Sequence, residues 1–463
     1  MARKIKVLYV SAECSPYSGA GGLGEVAGAL PGAIAEQDID IRRIVPLHRE
    51  TTQKLRFRSN FPVKMGDRYQ TCLVKYDFEE KEVPTYFVGN DYYFNRDGIY
   101  KQYDDGERFL FFCKAVVGFL EDTSFKPDII HINDWHAGMI PMLLKSSGLN
   151  FKTVNTIHNL IYNGWIGAEY LQDENLPMEY LTRIDYPNLL NFMKAGIIYS
   201  DVITTVSSTF AGEMQDEGKG FGMEELLREK GGVIGILNGV DAEKYNPVSD
   251  SEIYANYSHK NAAAKKENKK SLQREFGLDE SDVPIISAVT RLEDQKGIDI
   301  LIESIETFRG ECQFVILGSG RKVYEDKLLS LCSKHPGRIA VRIGYSLEAA
   351  KKIYAGSDIY VMPSLYEPGG MGQLIAMRYG TVPVVRGTGG LRDTVEDFEV
   401  NRKKGTGFLF ERYSHLDLNG ALEKAVGLYN TPEWSQIVGN CMKHDVSWKK
   451  AGKKYADLYR EIV

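Results

Sequence analysis

The sequence has little cysteine and no long apolar run, and each shortage excludes a class of protein. Its 463 residues include six scattered cysteines, with no Cys-x-x-Cys pair and no zinc spacing. This pattern argues against a disulfide framework or a structural zinc site, and it favours a reducing cytoplasm. No uninterrupted apolar segment is long enough to cross a membrane, so we expect no membrane association.

A large excess of charge of one sign is also missing. The formal net charge is −6, and 43% of the residues are hydrophobic, as in ordinary soluble globular proteins. This balance argues against broad nucleic-acid binding, although it leaves room for a small basic pocket. The basic N-terminus precedes an apolar run too short for a signal peptide, which we interpret as the first strand.

Short apolar runs alternate with helical stretches along the whole chain. In the first half, strands are predicted at 5–10, 40–45, 83–88, 128–132, 153–157, 202–206 and 233–237. In the second half, they are predicted at 285–289, 314–317, 339–343, 359–362 and 382–385. Strands that alternate with helices predict parallel sheets covered on both faces.

The composition of the sequence changes after Asp241. Residues 247–270 are polar, and we interpret them as an exposed helix at a domain boundary. The fold class predicted is α/β, with two Rossmann-like doubly wound domains that face a cleft. Their predicted bounds are 1–240 and 241–445. A terminal helix at 446–463, with Trp448, Tyr455 and Tyr459 on one apolar stripe, is expected to pack on the N-terminal domain.

A glycine-rich loop follows the first strand. Its Gly19-x-Gly21-x-x-Gly24 spacing matches the dinucleotide-binding fingerprint, but eight residues separate it from the strand. We interpret it as a loop that approaches phosphate. Simple helix–strand packing and an NAD-dependent oxidoreductase remain alternatives.

The unusual polar residues fall just after predicted strands, at the edge where open α/β sheets bind ligands. Glu367 follows one such strand and precedes Gly369, Gly370 and a predicted helix at 371–379. Free amides at a helix N-terminus attract phosphate, whereas a carboxylate repels it. Glu367 is therefore expected to face a neutral, hydroxyl-rich group attached to phosphate, as in a nucleotide-sugar. The alternative is a solvated glutamate beside turn glycines.

Two cations, Arg291 and Lys296, follow another strand and could stabilise a departing diphosphate, or they could be ordinary surface residues. His131, Asp134 and His136 do not have a recognised metal-ligand spacing, so no metal site is predicted.

Motifs in order along the whole chain resemble those of bacterial glycogen synthases and plant starch synthases, the retaining glucosyltransferases of family 5 with the GT-B fold. They are Gly21-Gly22-Leu23, His131-x-x-Asp-Trp-His-Ala-Gly138, Thr156-Ile-His-Asn159, Leu237-Asn-Gly-Val-Asp241, Arg291-Leu-x-x-Gln-Lys-Gly297, Ile343-Gly-Tyr345, Pro363-Ser-x-x-Glu-Pro-x-Gly370, Thr388-Gly-Gly-Leu391 and Ser447-Trp448.

The resemblance implies an ADP-glucose or UDP-glucose donor and the non-reducing end of an α-1,4-glucan such as glycogen as acceptor, with no metal or other cofactor. It assigns the diphosphate to Arg291 and Lys296, and the glucose to Glu367 with His158. It also implies that Tyr345 would lie against the base. The remaining substrate-binding positions that it implies are Gly22, Asp134, Asn159, Asn238, Gly370, Met371 and Thr388.

The chain departs from the family pattern at two places. A lysine usually precedes Gly-Gly-Leu, where this chain has Gly19-Ala20, and the usual Glu-Pro-Cys-Gly is Glu367-Pro-Gly-Gly370. Ile375 stands where related two-carboxylate transferases have a second glutamate, which glycogen synthases also lack. A transferase with a small-sugar or lipid acceptor and a weakly active glucan-binding relative therefore stay open as alternatives. The choice between ADP and UDP is also open.

Overall fold

The computed structural model describes residues 3–19, 21–79, 83–174, 182–183, 186–261 and 263–463. The chain divides into two compact units. The first unit is Met1–Asn238 together with Trp448–Val463, and the second is Gly239–Ser447. No helix in the described part of the chain combines the length and the apolar character that a membrane crossing requires.

The first unit is built on a nine-stranded sheet and a separate three-stranded sheet. Its strands are β1 Lys6–Val10, β2 Asp40–Pro46, β3 Arg56–Met65, β4 Arg68–Asp77, β5 Thr85–Gly89, β6 Ile129–Asn133, β7 Lys152–Ile157, β8 Trp165–Gly167, β9 Thr182–Arg183, β10 Tyr186–Asn191, β11 Val202–Thr205 and β12 Ile234–Gly235. The order in the large sheet is β12-β11-β7-β6-β1-β2-β5-β4-β3, and the small antiparallel sheet is β8-β10-β9.

Seven strands of the large sheet pair in parallel, and β3 and β4 join its edge as an antiparallel hairpin. The helices of this part are α1 Gly22–Ala35, α2 Asp91–Phe94, α3 Asp105–Asp122, α4 Ile140–Ser146, α5 Phe192–Tyr199, α6 Ser208–Glu213 and α7 Glu224–Glu229. The strand order reverses between β1 and β6, so the loops after these two strands flank the crevice where such sheets bind ligands.

The second unit contains a six-stranded, wholly parallel sheet. Its strands are β13 Ile285–Val289, β14 Gln313–Gly318, β15 Ile339–Ile343, β16 Ile359–Met362, β17 Val382–Arg386 and β18 Phe408–Phe410. The order β15-β14-β13-β16-β17-β18 is the Rossmann order, with its switch point between β13 and β16. The sequences of these strands are mostly apolar because helices cover both faces of the sheet.

The helices of the second unit follow the same alternation. They are α8 Ala263–Phe276, α9 Ile298–Thr307, α10 Lys322–Lys334, α11 Leu347–Gly356, α12 Gly372–Arg378, α13 Gly389–Thr394, α14 His415–Leu428 and α15 Pro432–Lys443. Side-chain caps fix several of the starts: Ser346 accepts the Ala349 N–H before α11, and Thr431 accepts the Trp434 N–H before α15.

The last helix, α16 Lys449–Ile462, returns to the first unit and packs on α1. Gly452 permits this contact because a Cβ there would lie 2.4 Å from the Ala33 carbonyl oxygen. Tyr455 and Tyr459 are buried and extend the helix contact into the sheet. The helix is therefore an integral part of the first unit.

Two sequence-based expectations need correction. The polar stretch 247–270 is not one exposed helix: α8 begins at Ala263, and its Asn268 and Lys269 are buried. The Lys269 ammonium pairs with Asp358 at 2.8 Å, which explains how a polar sequence can face the interior. The predicted strand at 233–237 shortens to β12, Ile234–Gly235.

Candidate functional site

Asp134 occupies the switch point of the first unit, directly after β6. Its backbone has φ 57° and ψ −177°, a strained conformation for a residue with a side chain. Its Oδ1 accepts the backbone N–H groups of His158 at 2.7 Å and Asn159 at 3.4 Å. Burial raises the pKa of the Asp134 carboxyl to about 7, against the opposing effect of these two hydrogen bonds. A strained backbone and a buried carboxyl with a perturbed pKa at a sheet edge are typical of functional sites.

The neighbouring His158 has a defined tautomer. Its Nε2 lies 2.9 Å from Asn133 Oδ1, which accepts hydrogen bonds and also receives the Tyr9 hydroxyl. Nε2 therefore carries the proton. Burial lowers the pKa of His158 to about 4, so the imidazole is neutral near pH 7 and its Nδ1 keeps a lone pair. His158 Nδ1 can thus accept a hydrogen bond from a sugar hydroxyl.

Two further histidines of this region, His131 and His136, are buried. His131 Nδ1 lies 2.5 Å from the Tyr459 hydroxyl of α16, and its Nε2 lies 2.6 Å from the Thr156 hydroxyl. His136 is buried against Trp135 and Tyr100. Within the described ranges, no group of three His, Cys, Asp or Glu side chains could hold a metal ion.

The glycine loop after β1 stands beside a buried carboxylate. Glu13 is 2% exposed, and its Oε2 lies 3.1 Å from the position a Cβ would take at Gly24 and 4.0 Å from that at Gly19. The Glu13 charge also contributes to the raised pKa of Asp134. Gly22 begins α1, so its backbone amide belongs to the free N-terminal turn of that helix.

In the second unit, Lys296 and Glu367 form an ion pair at the switch point. Lys296 follows β13 and Glu367 follows β16, and Lys296 Nζ lies 2.6 Å from Glu367 Oε2. The hydroxyl of Ser364 donates to the same oxygen at 3.0 Å. The two charged side chains are largely buried, with relative exposures of 15% and 6%. Glu367 is therefore a fixed, partly neutralised carboxylate.

Close backbone contacts hold the Glu367 loop in place. The Gly390 N–H donates to the carbonyls of Glu367 and Pro368, both at 3.0 Å. A Cβ on Gly389, which has φ 44°, would lie 2.1 Å from the Glu367 carbonyl oxygen. On the other side, the Arg386 guanidinium donates to the Ser364 carbonyl at 2.7 Å. These contacts position the carboxylate rigidly.

The remaining predicted residues of the second unit lie around the same sheet edge. Arg291 is exposed after β13, and Tyr345 is 72% exposed after β15. Gly370 has φ 67°, Met371 precedes the first residue of α12, and Thr388 is buried directly before α13. In the first unit, Asn159 and Asn238 are half-buried, and Asn238 ends that unit.

The structure thus joins Asp134 to His158 and Asn159 in the first unit, and Lys296 to Glu367 in the second. Sequence reasoning missed the Lys296–Glu367 ion pair and the contributions of Glu13, Asn133 and Arg386. The pairing needed knowledge that β13 and β16 are neighbours, although residues 296 and 367 are 71 positions apart. Glu13 could have been suspected as an acid placed directly after a buried strand.

Comparison with protein families matches both halves of the chain. The family described as "Starch synthase catalytic domain" matches residues 6–229, and "Glycosyl transferases group 1" matches residues 269–434. A protein named glycogen synthase from Desulforudis audaxviator is 41% identical, covering 100% of this chain and 97% of that protein. Another from Geobacillus stearothermophilus is 39% identical, with coverages of 99% and 98%.

A solved structure supports the same assignment. The catalytic domain of starch synthase IV from Arabidopsis thaliana, bound to ADP and acarbose, matches with a TM-score of 0.91, 30% identity and 99% coverage of both chains. Sucrose-phosphate synthase from Thermosynechococcus elongatus, at 17% identity and a TM-score of 0.63, shares the fold. These matches confirm the GT-B fold and the glycosyltransferase assignment, and the chain belongs to the glycogen synthase and starch synthase family of enzymes.

Proposed function

We propose that this enzyme transfers glucose from ADP-glucose to the non-reducing end of an α-1,4-glucan, with retention of configuration. The observation that carries the proposal is the likeness to a starch synthase structure bound to ADP and acarbose. ADP is what remains of ADP-glucose after transfer, and acarbose is a sugar oligomer. This favours ADP-glucose over UDP-glucose as the donor.

In this proposal the second unit holds the donor. Arg291 and two remaining N–H donors of Lys296 bind the diphosphate, amides near Gly370, Met371 and Thr388 support it, and Tyr345 contacts the base. The bond between the anomeric carbon and the phosphate oxygen breaks, and these groups stabilise the charge that ADP takes away. The Glu367 carboxylate stabilises the positive charge that develops on the glucosyl group.

The first unit is proposed to bind the acceptor and the transferred glucose. His158 Nδ1 accepts a hydrogen bond from a sugar hydroxyl, and Asp134 orients the backbone N–H groups of His158 and Asn159. The acceptor hydroxyl forms the new bond to the anomeric carbon, and its proton passes to the oxygen of the departing diphosphate. The reaction so written uses no metal and no cofactor, because Arg291 and Lys296 stabilise the charge of the leaving diphosphate.

The location of the reaction is proposed to be the cytoplasm. None of the six cysteines, all of which the structure describes, forms a disulfide, and five of them are buried. This state suits a reducing compartment.

Elongation of glycogen with ADP-glucose and UDP-glucose in parallel tests the proposal. We expect transfer with ADP-glucose, α-1,4 linkages in the product, and much slower transfer with UDP-glucose. Faster transfer from UDP-glucose would reverse the donor assignment, and transfer only to a small sugar or a lipid would reject the glucan acceptor.

The variant Glu367→Gln tests the role of the carboxylate. Removing an electrostatic group of this kind typically costs about 2.7–4 kcal/mol in turnover, or roughly a hundredfold or more. ADP binding should persist. Glu348→Gln is the matched control, because Glu348 also pairs with a lysine, at 2.7 Å, but is exposed on α11. Near-normal turnover of Glu367→Gln would remove this residue from the mechanism.

A further inference from the structure

Asn133, the last residue of β6, lies between the first strand of the sheet and His158. It is fully buried at the switch point of the first unit. Its Nδ2 donates to the Val10 carbonyl of β1 at 3.0 Å, and its Oδ1 accepts the Tyr9 hydroxyl, also at 3.0 Å. The same Oδ1 lies 2.9 Å from His158 Nε2. One buried amide therefore connects the backbone of β1 to a histidine of the proposed acceptor region.

The Val10 carbonyl determines the orientation of this amide. A carbonyl oxygen only accepts hydrogen bonds, so the Asn133 atom that meets it must be the amide nitrogen. The other amide atom is then the oxygen, which also only accepts. His158 Nε2 must therefore carry the proton, and Nδ1 of the neutral ring keeps its lone pair. A flipped amide would place oxygen against oxygen at Val10 and two donors against each other at His158.

The surroundings of His158 keep its ring neutral. Burial lowers the pKa of His158 to about 4, and a proton on it would repel one on His131 or His136. The Asp134 carboxylate would favour such a proton, but burial raises the pKa of Asp134 itself to about 7. The Tyr9 phenol is neutral, because burial raises its pKa well above the ordinary value. The imidazole is therefore neutral near pH 7, and it is only half-buried, so a ligand can reach it.

From these contacts, we propose that Asn133 is a positioning residue, which selects the tautomer of His158 whose Nδ1 accepts a hydrogen bond from a sugar hydroxyl during transfer. In the other tautomer, the Nε2 lone pair would face the Asn133 oxygen, and Nδ1 would present a hydrogen atom to the sugar. Fixing one tautomer in advance removes this mismatch before the substrate binds. The inference rests on the proposed function and adds to it a residue that does not touch the substrate.

Long-range ¹H–¹⁵N correlation spectra of protein labelled with ¹⁵N-histidine measure the tautomer directly, without any substrate. His158→Gln identifies the signals of His158 among those of the eight histidines. We expect the wild type at about pH 7 to have its proton on Nε2 and none on Nδ1, whereas Asn133→Leu should show a mixture of both tautomers. A proton on Nδ1 in the wild type would overturn the inference, and this result does not depend on whether the Asn133 variant folds.

Glycogen elongation in a double-mutant cycle tests whether Asn133 acts through His158. Asn133→Leu should lower kcat about tenfold, the value of roughly one hydrogen bond. In the His158→Gln background, the same substitution should change kcat by less than about twofold. Equal losses in the two backgrounds would show that Asn133 only supports the sheet, and would overturn the inference.

Asn155→Leu is the matched control. Asn155 is also fully buried, on the neighbouring strand β7, but it pairs with Ile132 in register and so lies on the opposite face of the sheet from Asn133. Its variant should keep the kcat of the wild type, and an equal loss there would overturn the role of Asn133. If the wild type elongates glycogen with a proton on Nδ1, only this inference fails. If it has the expected tautomer but does not elongate glycogen, the proposed function fails, and the sugar hydroxyl fails with it as the partner of Nδ1.

Discussion

The absence of a lysine at Gly19 gives a direct test of how the donor is held. Gly19 is exposed and is not among the glycines with positive φ, and the one atom of the described residues within 4 Å of a Cβ there is Glu13 Oε2, at 4.0 Å. A side chain therefore fits at this position without backbone strain. Gly19→Ala should even stabilise the protein by about 0.4–1 kcal/mol, through the unfolded chain.

Gly19→Lys adds a cation to a loop interpreted as one that approaches phosphate. A hydrogen bond to a charged group contributes about 1.5–3 kcal/mol, so the donor KM should fall roughly ten- to a hundredfold. Glu13 limits this gain, because its carboxylate is within reach of a lysine side chain at position 19. A lysine that pairs with Glu13 should cancel part of the effect of Glu13 on Asp134, and so lower the pKa of Asp134.

The assay is donor kinetics at saturating glycogen for the wild type, Gly19→Ala, Gly19→Lys and Gly19→Met, with a thermal melt of each variant. Methionine matches the length of lysine without its charge. We expect only the lysine variant to lower the donor KM, with little change in the KM for glycogen. A stable lysine variant with the KM of the alanine variant would refute the idea that this chain lacks a useful cation there.

Three further predictions concern buried charges. Lys296→Met leaves the Glu367 carboxylate without its partner and should destabilise the protein by about 3–5 kcal/mol, whereas adding Glu367→Gln should restore much of its melting temperature. Burial lowers the pKa of His131 from 6.5 to about 3, so the neutral imidazole contributes fully to the free energy of unfolding above pH 6.5. Acidification to pH 4 should remove roughly 3 kcal/mol of that free energy, because the unfolded state binds the proton first. The melting temperature of His131→Gln should therefore be less sensitive to acid. Burial raises the pKa of Asp134 to about 7, so between about pH 4 and 7 the native state holds a proton that the unfolded state has released. The wild type should therefore lose stability relative to Asp134→Asn as the pH rises through this range. A difference in melting temperature between the two proteins that is the same at pH 5 and pH 8 would contradict this.

The parts of the fold that sequence predicts best are the buried parallel strands. The predicted strands at 285–289, 339–343 and 359–362 have the observed limits, because each is a short, largely apolar run. The β3–β4 hairpin was missed. Its strands lie at a sheet edge, mix charged and apolar residues, and carry exposed side chains such as Phe57 and Tyr69, so no apolar run marks them.

The sequence predicts which candidate residues follow a strand, but it does not predict which strands are neighbours in the sheet. Polar residues after apolar runs place Asp134, Arg291 and Glu367 at the carboxyl ends of strands, which needs no knowledge of neighbours. Which of these ends meet depends on pairing across the sheet. The interpretation of 247–270 as exposed failed for a similar reason, since Lys269 is buried by an ion pair with the distant Asp358.

Under the proposed function, the ion pair at Glu367 gives a reason for a lysine beside an arginine at the diphosphate. A lysine ammonium has three N–H donors, and the Glu367 contact at 2.6 Å uses one, so two remain for phosphate oxygens. Lys296 can therefore serve the carboxylate and the diphosphate together. An arginine fork that paired bidentately with Glu367 would turn its best donors away from phosphate. Arg291 is exposed, and in the proposed reaction its planar face meets the departing ADP. In the same proposal, the ion pair with Lys296 makes Glu367 repel the diphosphate less, while the second oxygen of Glu367 meets the glucosyl cation.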